Sequence, residues 1–101
     1  MELKAGTRLR SAVSDAEVIV IRSTGADVTL TCGGLPLLDA DDGSAKVGIQ
    51  PGHEGTVLLG KRYVDEADSL EVLCTKPGEG ALEVDGAQLQ LKSAKPLPSS
   101  D

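Results

Sequence analysis

The stretch Ala81-Leu82-Glu83-Val84-Asp85-Gly86-Ala87-Gln88-Leu89-Gln90-Leu91 decides the fold class of this chain. Apolar and polar residues alternate on both sides of Asp85-Gly86, the period of a half-buried strand. Asp-Gly between two such runs signals a hairpin, because a type I′ turn needs positive φ at both central residues. Upstream, Leu70-Glu71-Val72-Leu73-Cys74 reads as a strand with Leu70, Val72 and Cys74 on one face. Val28-Thr29-Leu30-Thr31-Cys32 reads the same way, with Val28, Leu30 and Cys32 inward. Glu17-Val18-Ile19-Val20-Ile21-Arg22 is a continuous β-branched run, the pattern of a strand buried on both faces.

Weaker signals fill the gaps. Residues 7–13 form a first strand, followed by a turn at Ser14-Asp15 and another over 23–27. Gly33-Gly34 breaks the third run, and Leu35-Pro36-Leu37-Leu38 resumes an extended path that Pro36 confines to an edge or bulge. Residues 56–59 make another strand, and residues 64–68 at most a helical turn. About seven or eight short strands joined by Gly, Pro and Asp turns predict an all-β fold, a small single-domain β-barrel or β-sandwich over residues 1–93. Residues 94–101, with Pro96 and Pro98, predict an extended or disordered C-terminal tail. The two strands that end in cysteine hint at an internal duplication too short to count as a repeat.

Composition narrows the function. The chain has 101 residues, a formal charge of −6, 1% aromatic residues, no Trp and no Phe. Its core must be built from Val, Leu, Ile and Ala, at about 1.5–3 kcal/mol per buried aliphatic side chain, and could gain from a second copy. Phosphate-backbone binding needs clustered Lys and Arg, and single-strand binding needs aromatic platforms, so nucleic acid is not an expected partner. Anionic membrane surfaces are disfavoured by the same acidity, and no apolar run approaches a membrane span. The opening Met1-Glu2-Leu3-Lys4-Ala5 lacks the pattern of a signal peptide, so a cytoplasmic protein with reduced thiols is expected. The weight of Ala, Gly, Val, Asp and Leu suits a GC-rich bacterial genome.

Two motif-like stretches carry less than their letters suggest. Gly55-Thr56-Val57-Leu58-Leu59-Gly60-Lys61 spells a phosphate-binding loop, but its middle reads as a strand and Arg62 stands where Ser or Thr would hold magnesium. Asp39-Ala40-Asp41-Asp42-Gly43-Ser44 is one residue short of a calcium loop, and Gln50 occupies the place of the bidentate Glu. A solvated acidic turn accounts for it.

The remaining chemistry rests on few side chains. Cys32 and Cys74 each precede a glycine turn, as in half of a metal knuckle, but a closed tetrahedral site needs four ligands. His53 or a second subunit would have to complete a zinc or iron site. The competing reading places both thiols in the core, where cysteine is most often found. His53 beside Glu54 could serve as an acid–base pair. Tyr63, the one large ring, reads first as packing and second as an interface anchor. The sequence therefore predicts a small acidic, non-enzymatic accessory or interaction module without a cofactor, self-associating as a homodimer or binding a protein partner. A metal-binding protein using Cys32, Cys74 and His53 is the alternative.

Overall fold

The computed structural model describes residues 4–23, 28–66 and 69–92. The expected tail 94–101 lies outside the described residues, as do parts of the expected turns at 23–27 and 64–68. Twelve strands and no helix occur among the described residues: β1 (Arg8–Arg10), β2 (Glu17–Arg22), β3 (Leu30–Cys32), β4 (Leu35–Pro36), β5 (Leu38–Asp39), β6 (Thr56–Val57), β7 (Arg62–Val64), β8 (Glu71–Lys76), β9 (Gly78–Glu79), β10 (Leu82–Val84), β11 (Ala87–Gln88) and β12 (Gln90–Leu91). They form three antiparallel sheets, ordered β12-β7-β8-β2-β1-β5, β11-β10-β3-β4 and β6-β9. The all-β expectation holds, but the sheets keep their edges, so the fold is not a closed barrel.

The strand count exceeds the seven or eight expected, for a definite reason. At Leu37 and Leu89 the chain leaves the four-stranded sheet and enters the six-stranded one, dividing an expected single strand in two. Both leucines are buried. Leu37 donates its N–H to the Leu30 carbonyl at 3.0 Å, and Leu89 to that of Leu82 at 2.9 Å. The core fills the space that these crossings create. Val18, Val20, Val72 and Cys74 of the large sheet share one buried cluster with Leu30, Cys32 and Leu82 of the small one. Glu17–Arg22 is a strand with the expected bounds, but only Val18 and Val20 are buried, while Ile21 is exposed. Ile19 is half-buried and Ile21 exposed, so continuous hydrophobicity here marks a partly open outer face.

The turn chemistry explains the two hairpins of the small sheet. Asp85 and Gly86 have φ of 49° and 86°, as a type I′ turn requires, between β10 and β11. Gly33 and Gly34, at 66° and 91°, make the same kind of turn between β3 and β4. Pro36 sits on edge strand β4, where its missing N–H breaks no ladder bond.

These matching hairpins belong to a pseudo-twofold repeat. Strands β1 to β5 correspond to β7, β8, β10, β11 and β12, and β6 and β9 stand outside the scheme. The halves meet antiparallel at β2–β8 and β3–β10. Val18 faces Cys74 just as Val20 faces Val72, and Ile19 faces Leu73 on the dyad. Gly6 N–H bonds the Val20 carbonyl as Gly60 N–H bonds that of Cys74, and Ser11–Ala16 is matched by Asp65–Leu70. The hint of duplication was thus sound, but its basis was not. Cys74 corresponds to Val20, and Cys32 to Val84.

Candidate functional site

Both cysteines are reduced and buried, on inner faces of opposite sheets. The Cys74 thiol donates to the Lys76 carbonyl at 3.0 Å, and that of Cys32 lies 3.7 Å from the Glu79 carbonyl. Burial pushes both thiols above their ordinary range; nearby Ser11 draws Cys32 back, whereas Cys32 adds to the rise at Cys74. A raised thiol is a poor nucleophile and a reluctant metal ligand. Among the described residues, no three His, Cys, Asp or Glu side chains stand close enough to hold a metal ion. One chain therefore does not gather Cys32, Cys74 and His53 into a centre.

His53 pairs with a different carboxylate from the neighbour expected. Its Nδ1 lies 3.0 Å from both Glu83 oxygens, while Glu54 accepts the Gly52 N–H at 3.2 Å. Glu83 is the central residue of β10, opposite Thr31 on the dyad. Gly34 makes room for the ring: a Cβ there would lie 3.0 Å from His53 Cδ2 and 2.7 Å from Gln50 Cβ. A carboxylate on Nδ1 fixes the ring and leaves Nε2 outside this pair. The partner comes from 30 residues away, which hides the pair from a local reading.

Tyr63 is buried and faces the core from β7. Its hydroxyl accepts the Leu58 N–H at 2.9 Å, and its cross-strand partners are Val72 on β8 and Leu91 on β12. The tyrosine itself offers little surface, yet its neighbours do. Leu58, Leu59 and Leu91 are 43%, 61% and 48% exposed. The sequence reading singled out the ring and missed these leucines, although a Leu-Leu-Gly turn ahead of a strand is a visible signal.

The outer region of the large sheet carries two glutamates related by the dyad. Glu71 is 3% exposed and holds three cations: Lys92 Nζ at 2.9 Å, Arg62 at 3.3 Å and Arg22 at 3.5 Å. The Lys92 hydrogen bond holds its carboxyl below the ordinary range against the opposing effect of burial, and Arg62 and Arg22 assist. Its counterpart Glu17 is 25% exposed and, among the described residues, pairs with Lys76 at 3.1 Å. Arg8 occupies the position equivalent to Arg62. Ala40 occupies that of Lys92, since Ala40 N–H bonds the Arg8 carbonyl as Lys92 N–H bonds that of Arg62.

Beside Glu17 are two polar pockets. One, of about 560 Å³, is lined by the ion pairs Lys46–Asp15 (2.7 Å), Arg10–Asp42 (3.5 Å) and Lys76–Glu17. Its charges are mutually satisfied. The other, of about 640 Å³, is lined by Arg8, Glu17, Asp39, Ala40, Asp41 and Lys76.

No helix among the described residues is long and apolar enough to cross a membrane. Set against family models, curated proteins and solved structures, the chain finds no match in any of the three.

Proposed function

We propose that this protein is a non-enzymatic interaction module that associates through the β12 edge of its large sheet, with a second copy of the chain as the first occupant. The observation that carries this reading is a difference between the two edges. The dyad relates β5 to β12, so both edges have the same backbone geometry. On β5 the outer position holds Asp39, a charge of the kind that blocks unwanted strand pairing. On β12 the equivalent position holds exposed Leu91, across from Tyr63, whose hydroxyl accepts the N–H of exposed Leu58, and exposed Leu59 follows in the chain. Edge strands pair with other chains where nothing charged prevents it, and apolar side chains beside them add buried area.

Native mass spectrometry of untagged protein purified anaerobically, with light scattering over a concentration series, tests this reading. The expected result is a concentration-dependent dimer that Leu59→Asp converts to monomer. A strict monomer at every concentration, or a dimer indifferent to Leu59→Asp and Leu91→Asp, overturns it. The same spectrum weighs any bound zinc or iron.

A further inference from the structure

We infer that the pocket beside Glu17 is a binding site for a primary alkylammonium group, placed as the Lys92 ammonium is placed in the other half of the molecule. The inference does not depend on the β12 edge. The dyad supplies an internal template in which a glutamate at the head of the central strand is closed over by the lysine that follows the edge strand. In the first half the glutamate, the flanking arginine and the cation across the strand pair are all present as Glu17, Arg8 and Lys76. That lysine is absent because Ala40 stands there, and the space its side chain would fill is open.

Charge supports the same occupant. Around Glu71, three cations surround one carboxylate. The lining of the Glu17 pocket includes Asp39 and Asp41 besides Glu17, against Arg8 and Lys76, so it is net negative where the surroundings of Glu71 are net positive. Asp39 replaces Leu91 of the other half, which makes the pocket more acidic where it has lost its own lysine. An ammonium donates to Glu17 as Lys92 donates to Glu71, and its alkyl stem can lie along Ala40.

The test is an amide chemical-shift titration with n-butylammonium, with tetramethylammonium as a cation lacking N–H donors. Wild-type protein should show saturable shifts confined to the surroundings of Arg8, Glu17, Ala40 and Lys76. Ala40→Lys, which supplies the missing side chain, should weaken binding at least tenfold, and so should Glu17→Gln. Lys92→Ala should open a second site around Glu71 and Arg62. If Glu17→Gln fails to fold, Ala40→Lys decides alone. Shifts that do not saturate, that tetramethylammonium reproduces, or that persist unchanged in Ala40→Lys overturn the inference. A peptide with one internal lysine distinguishes the sources. Tighter binding than butylammonium assigns the site to a protein lysine, and equal binding to a free amine; either outcome upholds the ammonium site.

Discussion

Leu37 and Leu89 hold equivalent places in the two halves of the molecule. Each is the buried residue at which the chain passes from the small sheet to the large one. Each donates its N–H to the carbonyl of the leucine that begins the inner strand of its own half, Leu30 or Leu82. The core is therefore closed at two symmetric points by the same side chain and the same hydrogen bond.

Truncating either crossing should cost about the same. Leu37→Ala and Leu89→Ala each remove a buried leucine from a core of small aliphatic side chains with Tyr63 as its one ring, an expected loss of about 2–4 kcal/mol. Urea unfolding followed by circular dichroism checks this. A loss in one variant several times that in the other would mean that the halves do not share the core equally.

The two hairpin turns should tolerate change unequally. A Cβ at Gly86 meets nothing within 4 Å, so Gly86→Ala carries only the strain of its positive φ, about 1 kcal/mol. A Cβ at Gly33 would lie 2.6 Å from Val13 Cγ2 in addition to that strain. Gly33→Ala should be the more destabilising of the two, as read by the thermal midpoint.

Acid should unfold the protein partly through Glu71. Its carboxyl is held below its ordinary value of 4.5, so its contribution is complete above that pH and is lost as pH falls through the lower folded value. Asp65 behaves alike: burial opposes its charge, but hydrogen bonds from Ser69 and Leu70 outweigh burial. Lys92→Met should flatten the acid limb and cost about 1–2 kcal/mol at neutral pH. Stability measured by denaturant between pH 3 and 7 reads both effects.

The thiols predict the opposite limb. Both are raised from an ordinary 9.0, so the folded state keeps them neutral while the unfolded chain ionises. Their contribution is present below pH 9.0 and is lost as pH rises toward the folded values. At neutral pH, Cys32 and Cys74 should react with Ellman's reagent only at the rate of unfolding, and promptly in denaturant. Fast labelling of the native protein would place a thiol at the surface.

Part of the candidate chemistry was within reach of the sequence. Gly6-Thr7-Arg8 and Gly60-Lys61-Arg62 share a pattern, and Glu17-Val18 follows the first at the spacing at which Glu71-Val72 follows the second. That match pairs Glu17 with Glu71 from sequence alone, whereas the two cysteine-ending runs suggest a correspondence that the fold does not have. The His53–Glu83 pair and the Lys92–Glu71 bond had no such signal, because each joins residues 30 and 21 positions apart.

The sequence by itself determined the all-β class, the bounds of Glu17–Arg22, the inward faces of Leu30, Cys32, Val72 and Cys74, and the turn at Asp85-Gly86. These follow from period-two patterning and from the φ preferences of single residues, which act between near neighbours. Only the tertiary structure decided that the halves pair at β2–β8 and β3–β10, that the chain changes sheet at Leu37 and Leu89, and that one glutamate is sealed by three cations while its twin faces an open pocket. Those outcomes depend on which distant strands meet, and strand pairing is fixed by the joint burial of two faces, a property that no single segment carries.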